Sequence, residues 1–184
     1  MLSGSLTVTA FGLFAVSLTL IPLLTGRGFS ASLAALTFGL IGAGQLLGRI
    51  GFAPLGAHTS PSTGAGIILG ASAVSVALLA ILPGPAGLLI AVAVLLGITR
   101  GATTLLQATV VAARWGTARY GTLAGYFIAP ITVASALAPW AGTAIASALH
   151  SYPITDAILA VLVAAGAVTV SVSGKSRRSR ADPP

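Results

Sequence analysis

Residues 88–112 read LLIAVAVLLGITRGATTLLQATVVA, twenty-five positions with a single charge, Arg100, near the middle. A run of this length and character crosses the roughly 30 Å hydrocarbon core of a bilayer as a helix of about 20 residues. A charge at that depth costs roughly 2.5–3.5 kcal/mol on insertion scales, so something has to hold it. No carboxylate lies in the neighbouring apolar runs. Arg100 is therefore the first candidate for function.

Outward from this stretch the composition does not change. Of 184 residues 56% are apolar and 6% charged, and the mean hydropathy is +1.04, whereas a soluble domain carries about 25% charged residues. Six apolar segments of spanning length follow one another: about 6–24, 32–55, 64–82, 87–113, 120–149 and 156–172. They are separated by turn-forming punctuation, Thr25-Gly26-Arg27-Gly28, Gly56-Ala57-His58-Thr59-Ser60-Pro61, Pro83-Gly84-Pro85 and Arg114-Trp115-Gly116. The expected fold is all-α: a polytopic membrane protein with six transmembrane helices over residues 1–173. A basic, disordered cytoplasmic tail over 174–184 follows, too polar to insert.

The sequence pI of about 11.6 comes from nine basic residues against two acids. Those cations are distributed as topology signals rather than as a nucleic-acid-binding face. Arg49, Arg114, Arg119, Lys175, Arg177, Arg178 and Arg180 fall on the side of the C-terminal tail, and Arg27 and Asp156 on the other. Short cytoplasmic loops retain Lys and Arg, so both termini are expected in the cytoplasm and the chain in a bacterial inner membrane. The first segment is longer than a signal-peptide core and has no basic stretch before it, which reads as a retained helix.

With no cysteine, disulfides, zinc–thiolate sites and thiol catalysis are excluded. No Ser, His and acid spacing suggests a hydrolase, no His pair suggests a metal site, and the glycines lie inside apolar helices rather than in a phosphate-cradling loop. The chain is expected to be no enzyme and to use no cofactor. His58 and His150 fall in loops and Asp156 at the outer mouth of the last helix, so no titrating group is expected within the membrane.

Helix periodicity supplies the candidate site. Arg100, Thr103, Thr104 and Gln107 recur at i, i+3, i+4 and i+7, one face of a helix, with Gly97 and Gly101 as a small-residue pair beside them. In the second segment Thr37, Gln45 and Arg49 share a face flanked by Gly44 and Gly48. The fifth contains Gly121, Gly125 and Tyr126, and Pro130 and Pro139 each remove a backbone donor there, so kinks are expected. Thr37, Thr103 and Thr104 also suit simple interhelical or backbone bonding, Arg49 suits snorkelling to headgroups, and Trp115, Tyr120 and Tyr152 suit the interfacial belt. Arg100 has three available partners: freed backbone carbonyls, a carboxylate of another polypeptide, or an anionic ligand. Its ionised, forked guanidinium matches a carboxylate or phosphate.

The six-helix order, the run Gly44-Gln45-Leu46-Leu47-Gly48-Arg49, the run Gly97-Ile98-Thr99-Arg100-Gly101 and the run Arg119-Tyr120-Gly121-Thr122-Leu123-Ala124-Gly125 together resemble the C-terminal half of a major facilitator superfamily transporter. The resemblance covers about Leu6 to Val172. Of that superfamily's loop signature after the second helix of each half, only Gly44, Gly48 and Arg49 are present; its Asp and later basic residues are not. The resemblance implies twelve helices in two halves, with substrate near the midplane between them. The first, second, fourth and fifth helices would line the cavity and the third and sixth would face lipid.

The expected function is secondary active transport of a small anionic solute by alternating access. Arg100 would anchor the anion, Gln45, Thr104 and Gln107 would complete its hydrogen bonds, and Tyr126 would stack or gate. Gly44, Gly48, Arg49, Gly97, Gly101, Gly121, Gly125, Pro130 and Pro139 would serve packing and gating. The expected partners are the bilayer, the solute, and a missing N-terminal six-helix half or a second copy, with Met1 reading as a start within a longer gene. The alternative is a non-transporting membrane subunit that binds a partner protein through its polar helix faces.

Overall fold

The structure, a computed structural model, describes residues 2–117 and 119–181, the last eleven of them by backbone alone. Among these residues there are six helices: α1 (Leu2–Gly26), α2 (Ala31–His58), α3 (Pro61–Ile81), α4 (Ala86–Trp115), α5 (Tyr120–Leu149) and α6 (Tyr152–Ala181). All six contain a stretch long and apolar enough to cross a membrane, in α6 Tyr152–Val170. In lipid an unbonded peptide group costs several kcal/mol, so unbroken helices are the form such segments take. The expected tail over 174–184 falls on residues whose side chains, and at 182–184 whose backbone, lie outside those described.

Local chemistry sets the ends. Ser30 and Ser60 cap α2 and α3 by accepting from Leu33 N and Thr63 N, both at 3.3 Å, and Pro61 opens α3 where its missing donor does no harm. The α3–α4 turn is made of Leu82 and Pro83-Gly84-Pro85. Gly116 ends α4 at φ 73°, and His150 ends α5 in the left-handed region at φ 50°. Between α1 and α2 the chain turns through Gly28 at φ 87°, and Phe29 N donates to Leu24 O at 3.1 Å. Helix α5 continues unbroken past Pro130 and Pro139.

The central element is α1, in contact with every other helix, while the most extensive pairings are α2 with α4, α3 with α6 and α1 with α5. Leu13, Val16, Leu20 and Leu24 of α1 join Val76 and Leu79 of α3 and Leu89, Val92 and Leu96 of α4 in one buried cluster. Towards the termini, Leu6 and Ala10 join Ile68, Leu69, Leu106, Phe127 and Ile131 in a second. Apolar side chains gain little by leaving lipid for protein, so close backbone approach has to do much of the joining. The α2–α4 seam shows this. A Cβ added to Gly44 would collide with Val94 O, one on Gly48 with Ile98 O, one on Gly97 with Ile41 O and one on Gly101 with Gln45 O. The four glycines thus sit at a backbone-to-backbone crossing.

Two expectations need correction here. The sixth helix begins at Tyr152, a turn before the expected start, which carries Asp156 inside the bundle; it is 0% exposed rather than at a mouth. Helices α3 and α6 pack against each other and α1, and the most exposed helices are α2 and α5. Gly121 and Gly125 have open space around them, so in this chain they join nothing; α1 meets α5 and α6 through Gly142 and Gly12 instead, where a Cβ would press on Ala15 and Val163.

Candidate functional site

A cleft of about 230 Å³ opens between α4 and α5, with α1 as its floor. From α4 it is lined by Arg100, Thr103, Thr104 and Gln107, from α1 by Ala10, Leu13 and Phe14, and from α5 by Ile131, Thr132 and Ser135. The four α4 residues are one helix face, so the i, i+3, i+4, i+7 spacing puts them together without any help from tertiary structure. Thr132 and Ser135, three apart on α5, oppose them across the opening.

Arg100 is half-buried in this cleft. Its Cζ stands 3.8 Å from the centroid of the Phe14 ring, and its Nη1 donates to Ser17 Oγ at 2.9 Å. The Ser17 hydroxyl donates in turn to Leu13 O at 2.6 Å, which leaves its oxygen facing the guanidinium as acceptor. A ring face and a hydroxyl orient the cation without neutralising it. The one acid among the described residues, Asp156, belongs to a different cluster. Arg100 is therefore a positioned charge with guanidinium N–H groups to spare.

The neighbouring hydroxyls are partly committed. Thr103 donates to Thr99 O and Thr104 to Gly101 O, both at 2.7 Å, the back-bonding usual for membrane threonines. Each oxygen can still accept. The Gln107 carboxamide carries no hydrogen bond among the described residues, so a donor and an acceptor remain there.

Two expected site residues are placed elsewhere. Gln45 is half-buried on α2 with its backbone carbonyl against Gly101, and α2 contributes nothing to the cleft. The reason is the glycine seam, which fastens α2 to the side of α4 away from the opening. Tyr126 is 81% exposed. Its neighbour Phe127 and then Ile131, one turn apart, occupy the inward face of α5, and Tyr126 is rotated about 100° away from it. Thr37 is buried and donates to Leu33 O at 2.8 Å, while Arg49 is exposed. Phe14, Ser17, Thr132 and Ser135 were not singled out from the sequence. Ser17, Thr132 and Ser135 carried only the signal of small hydroxyls inside apolar helices, which is common in membrane segments, and Phe14 carried none.

A second polar cluster lies at the end of the bundle away from the termini. Asp156 Oδ1 accepts from Thr19 Oγ1 at 2.8 Å, and Oδ2 has no hydrogen-bond partner. Arg27, just past the end of α1, donates from Nη1 to Leu82 O at 2.8 Å and from Nη2 to Leu79 O at 2.9 Å and Ala80 O at 3.1 Å. It thereby closes the carbonyl end of α3, the end where helix polarity favours a cation. Burial holds the Arg27 guanidinium below its ordinary pKa, and the nearby Asp156 charge opposes that shift.

The fold defines the class: a multipass helical membrane protein. No known family profile matches the chain, and no curated protein matches its sequence.

Proposed function

We propose that this bundle is one half of a secondary transporter of the major facilitator kind, and that Arg100 binds the anionic part of a small solute in the α1–α4–α5 cleft. The observation that carries the reading is the oriented, unneutralised guanidinium on the wall of an open cavity. Charges at membrane depth are retained where they work, and a guanidinium presents paired donors to a carboxylate or phosphate. Thr104, Gln107, Thr132 and Ser135 supply hydrogen bonds around the anion. Apolar walls at Leu13, Phe14 and Ile131 accommodate the rest of the solute. The complementary wall comes from a second six-helix unit, with cytoplasmic termini and an inner-membrane location following from the basic loops.

The test is thermal stability of the chain in lipid nanodiscs with a panel of small carboxylates and phosphate monoesters. At least one anion should raise the Tm of the wild-type protein, Arg100→Ala should abolish that rise, and Arg100→Lys should restore part of it. Equal stabilisation of Arg100→Ala, or none of wild type by any anion, would defeat the reading.

The exposed apolar faces of α2 and α5, including Leu46, Leu47, Ile50, Val133, Leu137 and Trp140, favour a second reading. In it the chain is a subunit whose open side receives a partner protein, and Arg100 pairs with that partner's carboxylate. Arg100→Glu would then break a complex that is stable without any solute.

A further inference from the structure

We propose that Asp156 is a proton-binding site inside the membrane bundle, where uptake of a proton by its carboxylate removes the attraction of α6 for Arg27 at the end of α1. This is independent of whether the Arg100 cleft binds an anion.

The geometry singles this residue out. Asp156 is one turn into α6 and 0% exposed. Its Oδ1 holds the Thr19 hydroxyl of α1. The same carboxyl leaves Oδ2 buried with no partner. A carboxylate normally engages several donors, and burial of one that lacks them is costly unless it is paired or neutralised. Neutralisation by an internal ion pair is not in place, because the Arg27 guanidinium is committed to the carbonyls of Leu79, Ala80 and Leu82. Arg27 acts on Asp156 through its field alone.

The surroundings are otherwise almost free of titratable groups. Three helices pack on α6. From α1 the groups facing Asp156 are Thr19 and, at the helix end, Arg27; α3 contains no titratable side chain; α5 carries Tyr120 and Tyr126 at its far end and His150 at the near terminus, all three exposed. On α6 itself the nearest other titratable group is Tyr152, one turn earlier, while Lys175 and the arginines stand at the opposite end of the helix. The binding step is simple: a proton from the aqueous side adds to Oδ2, the net charge of the site rises by one, and no bond breaks. The neutral acid can still accept from Thr19 through Oδ1, so the α1–α6 link survives while the attraction between α6 and Arg27 is lost.

The chain has only two acidic residues, which makes the experiment direct. The full chain is made by cell-free synthesis with aspartate carrying carbon-13 in its side-chain carboxyl, in an Asp182→Asn background, so that Asp156 is the single labelled carboxyl. It is reconstituted in liposomes of neutral lipid, and isotope-edited infrared spectra are recorded as the pH is lowered. The expected result is a protonated-acid carbonyl band at the high frequency of a poorly hydrated group, absent in Asp156→Asn. In Arg27→Gln the band should appear at higher pH, because a cation favours the charged form. A labelled carboxyl that stays ionised down to acid denaturation would overturn the proposal. So would one whose protonated band has the frequency of a water-exposed acid. Both readouts come from the native Asp156 and do not require the Asn variant to fold.

Discussion

Replacing Gly48 by alanine tests the central packing claim, that α2 and α4 meet backbone to backbone. A Cβ at this position would lie 2.8 Å from the Ile98 carbonyl carbon and 2.9 Å from its Cα, and closer still to the carbonyl oxygen. Carbon atoms rest at about 3.5–4.0 Å from one another, so the helices would have to separate. The atoms in the way are backbone and cannot swing aside. Overpacking of this kind costs roughly 1–3 kcal/mol, and separation also loosens the contacts at Gly44, Gly97 and Gly101. Gly42→Ala is the internal control, because nothing lies within 4 Å of its Cβ position and glycine in a helix is disfavoured relative to alanine by about 0.5–1 kcal/mol. Both substitutions gain that preference, so it cancels between them, and Gly48→Ala should be less stable than Gly42→Ala by about 1–3 kcal/mol. The assay is reversible unfolding in mixed micelles of rising dodecyl sulfate content, followed by the fluorescence of Trp115 and Trp140. Identical midpoints for Gly48→Ala and Gly42→Ala would refute the seam.

Ser17→Ala removes the hydroxyl held by Arg100 Nη1 and should cost about 1–2 kcal/mol of unfolding free energy, with weaker anion-induced stabilisation in the nanodisc assay. Loss of stability without any change in anion response would place Ser17 outside the binding machinery. Phe14→Leu keeps an apolar side chain but deletes the ring under the guanidinium, and should weaken anion binding by roughly 0.5–2 kcal/mol; an unchanged affinity would show that stacking is incidental. Arg27→Gln removes the cation from the carbonyl end of α3 and should cost about 1 kcal/mol, discounted for partial exposure. Faster amide hydrogen exchange at Leu82 and Gly84 is the expected signature, and unaltered exchange would contradict the capping role. Thr19→Val should destabilise by about 1–3 kcal/mol because Asp156 loses its one hydrogen bond, whereas Thr19→Ser should be nearly silent.

The helices were legible because each spans a bilayer and ends in recognisable chemistry: Ser30, Ser60 with Pro61, Pro83-Gly84-Pro85 and Gly116 each act where they stand. The α4 face carrying Arg100, Thr103, Thr104 and Gln107 was legible for the same reason, since it depends only on helix period. What depended on contact between distant helices was not. Tyr126 and Gln45 lie in plausible helices but on faces that only the packing of α5 on α1 and α2 on α4 decides. Gly121-x-x-x-Gly125 has the same spacing as Gly97-x-x-x-Gly101, yet only the latter meets a neighbour. Asp156 was misplaced by one helical turn, which is the difference between a solvated mouth and a site at 0% exposure.

The glycine crossing also has a mechanical meaning. With main chains pressed together at four points and no flexible side chains between them, α2 and α4 form a stiff plank. Deformation of the bundle then concentrates where α4 and α5 scarcely touch, and α1 with α5 makes the opposing jaw. The width of the opening beside Arg100 therefore depends on how the α1–α5 pair sits against α4.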